Sequence, residues 1–163
     1  MIATRSLTHP LALGAIALLV INDHVLKQAA PGVITGKLSD FAGLAFFPLL
    51  LAAGTELAGV RRGMSTIVVA AIATAVAFTA IKLWVPAGEL YRVGLAALQW
   101  PFRAAHALVT GEALPSLARV SLVADPTDLV ALVSLAIPIA IGAHAARHRR
   151  RSEVIRRRVP LIV

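Results

Sequence analysis

Four long apolar stretches, separated by short polar interruptions, dominate the chain. The first runs from about Pro10 to Lys27 and includes the uninterrupted LALGAIALLVI, and the second runs from Phe41 to about Val60. The third runs from Met64 to Val85, and the fourth from Thr127 to about Ala145. About 20 apolar residues in a helix cross a hydrocarbon core about 30 Å thick, so each stretch predicts one transmembrane helix. The pattern predicts an all-α integral membrane four-helix bundle over residues 1–146, with a basic tail over 147–163.

A fifth segment is more ambiguous. Between Val93 and Val109 the chain is apolar enough to approach a bilayer, but Gln99, Pro101, Arg103 and His106 interrupt it. Arg92, Gln99, Arg103 and His106 recur at helical spacing and form one polar stripe. This predicts an additional interfacial or re-entrant helix over about 89–109, with Tyr91 and Trp100 at headgroup depth and a fifth crossing as the alternative. Leu117 to Val123 reads as a short extended piece.

Composition agrees with the pattern: 58% of residues are hydrophobic and the mean hydropathy is +0.82, beyond an ordinary soluble domain. The chain has no cysteine, which excludes disulfides, thiolate nucleophiles and thiolate metal sites. In a soluble protein the net charge of +8 would suggest nucleic acid, but here topology explains it better. Arg5 precedes the first helix, Arg61 and Arg62 fill the turn between the second and third, and seven arginines lie between Arg147 and Arg158. Arginine in short loops stays cytoplasmic, so four crossings put both termini in the cytoplasm, with the 28–40 loop and the 86–126 segment external. The expected location is the bacterial inner membrane. A signal peptide is the competing reading of the N-terminus, since Arg5, an apolar run, Ala29 and Ala30 imitate one.

The tail RHRRRSEVIRRR predicts attraction to anionic lipid headgroups, at about 1 kcal/mol per basic residue near the surface. No aromatic accompanies these arginines to stack on bases, so nucleic acid is not an expected partner. Thr66, Ala70 and Thr74, with Ala73 and Ala77, form small-xxx-small spacing suited to close helix contact. Pro48 and Pro138 lie inside the second and fourth helices, where they should bend the backbone.

Candidate chemistry gathers at the expected outer end. All aspartates (Asp23, Asp40, Asp125, Asp128) and all lysines (Lys27, Lys37, Lys82) fall there. Asp23 sits roughly 9 Å below the outer end of the first span, where a charge requires a partner. Lys27 offers Asp23 an i, i+4 pair, and Lys82, one turn from the outer end of the third helix, offers it another at similar depth. In TGKLSDFAGL, Ser39 or Asp40 is a candidate N-cap for the second helix, with Gly36 and Lys37 forming a tight turn beside it. In DPTDL, Asp125 is the expected cap with Pro126 at the first position, while Asp128 could face the interior. Candidate catalytic residues are Asp23, Asp40 and Lys82, and candidate binding residues are Asn22, His24, Lys27, Lys37, Ser39 and Asp128. Glu56, near the inner end of the second helix, is expected to pair with Arg61 or Arg62.

No phosphate-cradling glycine loop, GxSxG elbow, HExxH or zinc spacing is present, and no cofactor is expected. A divalent cation held by oxygens of Asp23, Asp40 and Asp128 with His24 is an alternative without a recognised spacing. Taken together, NDHVLK, GKLSDFAGL and DPTDL resemble an uncharacterised family of small bacterial multi-pass membrane proteins, a resemblance that implies no reaction. Similarity to VanZ-like membrane proteins is weaker, because the His-Phe and Glu-Gln pairs are missing. The leading expectation is an accessory protein whose polar cluster organises the bundle or receives a partner or lipid headgroup. The alternatives are an outward-facing membrane enzyme acting on a lipid or phosphate-bearing substrate, and a small-solute or proton-coupled transporter.

Overall fold

The computed structural model describes residues 2–60 and 63–158. The chain is all-α, and four of its helices are long and apolar enough to cross a membrane. We number the helices α1 (Ala3–Leu7), α2 (Pro10–Ala29), α3 (Val33–Leu57), α4 (Met64–Leu83), α5 (Val85–Thr110) and α6 (Ala136–Arg158). A 3-10 stretch, Pro126–Leu135, runs directly into α6. The four membrane-length segments are Pro10–Ala29, Val33–Leu57, Met64–Leu83 and Pro126–Arg149.

Local chemistry sets the boundaries. His9 caps α2 by accepting a hydrogen bond from the Leu11 amide at 3.2 Å, with Pro10 at the first helical position. At its far end α2 widens into a π-turn over Asn22–Leu26 before its last residues, Lys27–Ala29. Pro31 disfavours helical backbone at the residue before it, and Ala30 accordingly leaves the helix at φ −142°, ψ 71°. The chain re-enters helix at once, because Gly32 caps α3 and its amide donates to Thr35 Oγ1 at 3.1 Å. The second helix therefore starts at Val33 rather than Phe41. Ser39 and Asp40 lie within it and cap nothing at its start, and Gly36 and Lys37 form no tight turn.

The chain divides into two compact units: residues up to Val76 together with those from Val130, and Ala77–Leu129. In the first unit the core draws on α1, α2, α3, α4 and α6 through Ile2, Ala3, Ala12, Leu49, Ala52, Ala53, Ile67, Ala70 and Ile141. So many alanines leave little side chain between helices, which favours close backbone approach. Among the described glycines the most crowded is Gly142, where an added Cβ would lie 2.6 Å from Ile67 Cδ1 and 2.9 Å from Met64 Sδ. On α4, Thr66, Ala70 and Thr74 are buried as the small-residue spacing predicts, whereas Ala73 and Ala77 are exposed. Pro48 lies buried inside α3. Pro138 lies just past the 3-10 stretch. Without an N–H there, the ordinary helical partner of the Ser134 carbonyl is missing.

In the second unit, α5 begins at Val85 rather than about residue 89 and ends at Gly111, whose φ of 74° suits glycine. At 26 residues it is long enough to cross, but it is not among the helices apolar enough to do so. Arg92 is half-buried, and Gln99, Arg103 and His106 are exposed, as are Leu98, Phe102 and Val109. The segment after Gly111, which has no regular secondary structure, returns along α5 in the opposite direction. Trp100 Nε1 donates to the Pro115 carbonyl at 2.9 Å, and Arg92 Nε to the Val120 carbonyl at 3.0 Å. Glu89 receives Arg92 at 2.8 Å and Arg119 at 3.1 Å, so the polar stripe partly serves to hold this strap.

The expected basic tail over 147–163 continues α6 as far as Arg158, and 159–163 lie outside the described residues.

Candidate functional site

The π-turn of α2 sets up the first polar cluster. Inserting an extra residue per turn redirects the side chains that follow it, and such turns recur at functional positions. Asn22, at the start of the turn, is fully buried. Its Nδ2 donates to the Thr35 carbonyl and to Ser39 Oγ, both at 2.7 Å. Because a backbone carbonyl only accepts, the Thr35 contact fixes which end of the amide is nitrogen. Among the described residues, Asn22 Oδ1 is then left buried without a hydrogen-bond partner.

Ser39 carries the chain of bonds outward. Its hydroxyl accepts from Asn22 and donates to Asp23 Oδ1 at 2.7 Å. Lys27 Nζ reaches the same Asp23 oxygen at 2.7 Å, one helical turn along α2. The network thus runs from a sealed amide to an ion pair whose side chains are each 41% exposed. The early start of α3 makes this possible, since it gives Ser39 a helical register facing α2. His24 does not join, because Nδ1 lies 3.0 Å from the Val20 carbonyl of its own helix. Lys37 and Asp40 are half-buried on α3, and neither residue is without a partner.

Within the second unit, Lys82 Nζ lies 2.6 Å from Asp128 Oδ2, with the two side chains only 7% and 9% exposed. The same ammonium lies 3.4 Å from the Val123 carbonyl and 5.4 Å from the centre of the Phe78 ring. Asp125 caps the segment that delivers Asp128. Its carboxylate accepts from the Thr127 amide at 2.8 Å and the Thr127 hydroxyl at 2.7 Å, and its carbonyl accepts from the Asp128 amide at 3.0 Å. In a 3-10 segment every third side chain lines up. Asp128, Ala131 and Ser134 accordingly form one buried column.

Glu56 has a role that sequence reasoning missed. It is 2% exposed and accepts from the Ile2 amide at 3.0 Å, the Thr4 amide at 3.1 Å and the Thr4 hydroxyl at 3.1 Å. A carboxylate there complements the positive end of α1 and supplies acceptors for amides that have no helical partner. Arg61 and Arg62, its expected partners, lie outside the described residues. Among the described residues, no three His, Asp or Glu side chains group as metal ligands.

Comparison of the chain with protein-family models, with curated proteins and with solved structures found no match.

Proposed function

We propose that this chain is an accessory, non-enzymatic membrane protein whose polar network at the α2–α3 turn organises the helices and receives a polar headgroup or partner segment at the outer face. One observation carries the reading: a buried amide and a bridging hydroxyl hold the Asp23–Lys27 pair in place while that pair stays open at its rim. A held ion pair presents both signs of charge at fixed spacing, which suits a zwitterionic phosphate-ammonium headgroup. The arrangement offers little to an enzyme, because the Ser39 hydroxyl and the Lys27 ammonium converge on one oxygen, Asp23 Oδ1. An oxygen already accepting from an ammonium is poorly placed to take a nucleophile's proton.

A transporter needs ionisable groups well inside the bilayer. Lys82 is next to last in α4, and Asp128 is third in the stretch Pro126–Leu135. Both positions belong to segment ends.

The test uses the full chain in nanodiscs containing phosphatidylethanolamine, comparing the parent with Asp23→Asn and Lys27→Gln. Native mass spectrometry should show both variants folded and holding less of this lipid. Unchanged lipid retention in both would remove the headgroup reading. Unfolding of both would reduce the cluster to a purely structural one.

A further inference from the structure

The opposite end of the first unit holds an unassigned concavity of about 330 Å³, lined by Ile2, Arg5, Ala145 and Arg149. We propose that it is a binding site for the phosphodiester headgroup of an anionic membrane lipid, gripped by Arg5 and Arg149, with the glycerol end of the lipid against Ile2 and Ala145.

Position is the first argument. Arg149 stands three residues past Ala146, where the apolar run of α6 ends, and Arg5 stands five residues before Pro10, which opens the segment Pro10–Ala29. Both arginines therefore lie where apolar helix gives way to polar chain, at headgroup depth rather than in bulk water.

Rigidity is the second. A five-residue helix such as α1 is not stable alone. Glu56 anchors it through the Ile2 and Thr4 amides, and Ala3 and Ser6 are buried beneath it. Arg5 is thus carried on a fastened turn, facing Arg149 on a long helix. Chemistry is the third argument, because guanidinium forks match phosphate oxygens in pairs. A fully hydrated free phosphate makes no use of the apolar wall of Ile2 and Ala145, whereas an esterified one covers it. The site differs from the diffuse attraction of the polybasic tail, which depends on charge count rather than on which arginine is present.

The experiment uses the full chain in phosphatidylcholine nanodiscs with graded phosphatidylglycerol, and it counts retained phosphatidylglycerol by native mass spectrometry. Arg5→Gln and Arg149→Gln should each weaken retention about tenfold beyond the loss caused by Arg147→Gln, an exposed arginine outside the concavity. Arg5→Lys keeps the charge and removes the fork, so it should fall between parent and Arg5→Gln even if the glutamine variant loosens α1. Gln28→Ala, an exposed position at the α2–α3 turn, should leave this retention unchanged. Equal losses for Arg5, Arg147 and Arg149 variants would overturn the site in favour of diffuse attraction. Displacement of the lipid by inorganic phosphate at equal concentration would overturn the lipid assignment in favour of a free anion.

Discussion

Lys82 and Asp128 form a buried ion pair, 2.6 Å apart, between the last turn of α4 and the 3-10 stretch that leads into α6. Two charges withdrawn from water are costly singly and tolerable together, so the penalty for removing one partner exceeds the net worth of the pair. Asp128→Asn or Lys82→Met should each destabilise the protein by about 3–5 kcal/mol. The joint replacement Lys82→Met with Asp128→Leu should recover most of that loss, as judged by unfolding in detergent. If the double variant is as unstable as the sum of the singles, charge compensation is not what the pair provides.

Ser39 offers a smaller and more local test. It is the bond bridge between Asn22 Nδ2 and Asp23 Oδ1. Ser39→Ala should cost about 1–2 kcal/mol by leaving one donor without its acceptor, and Ser39→Thr should cost little because the hydroxyl persists. The comparison is thermal unfolding of both variants beside the parent. Equal behaviour of alanine and threonine would mean that the hydroxyl is not the bridge.

Much of this was readable in the chain, and what was missed has identifiable physical causes. Apolar runs located the four membrane-length helices because length and hydropathy suffice for that inference. The i, i+4 spacing of Asp23 and Lys27 and the capping pattern of Asp125-Pro126 were also legible, since both are local. The start of α3 was not, because Lys37, Ser39 and Asp40 look like loop residues, whereas the break is made earlier by Pro31 and Gly32. That error hid the role of Ser39. The partner of Lys82 was equally hidden, since depth alone did not distinguish Asp128 from Asp23. Helix α1 escaped notice because five residues carry no usable periodicity and its stabilising group, Glu56, lies far along the chain.

Glu56→Ala should release α1 without dispersing the whole fold. Three hydrogen bonds to one carboxylate are lost, and the amides of Ile2 and Thr4 are left without acceptors. Local opening should become easier by about 3 kcal/mol, visible as faster hydrogen exchange over Ile2–Leu7 and earlier tryptic cleavage at Arg5. Exchange at parent rates there would show that burial of Ala3 and Ser6 holds α1 by itself.

Gly142 is the most crowded of the described glycines, and its test separates packing from polarity. A methyl group there would meet Ile67 Cδ1 at 2.6 Å and Met64 Sδ at 2.9 Å. Gly142→Ala gains helix propensity worth about 1 kcal/mol, but crowding a filled contact costs about 1–3 kcal/mol, so the net effect should be a modest loss. Ile67→Val combined with Gly142→Ala removes the Cδ1 clash and leaves the Met64 contact, whose flexible thioether can move aside. The pair should therefore be more stable than Gly142→Ala alone when both are unfolded in the same detergent. If Ile67→Val makes the glycine variant worse, the interface is limited by a cavity rather than by crowding, and the close approach of α6 to α4 at this position would have to be abandoned.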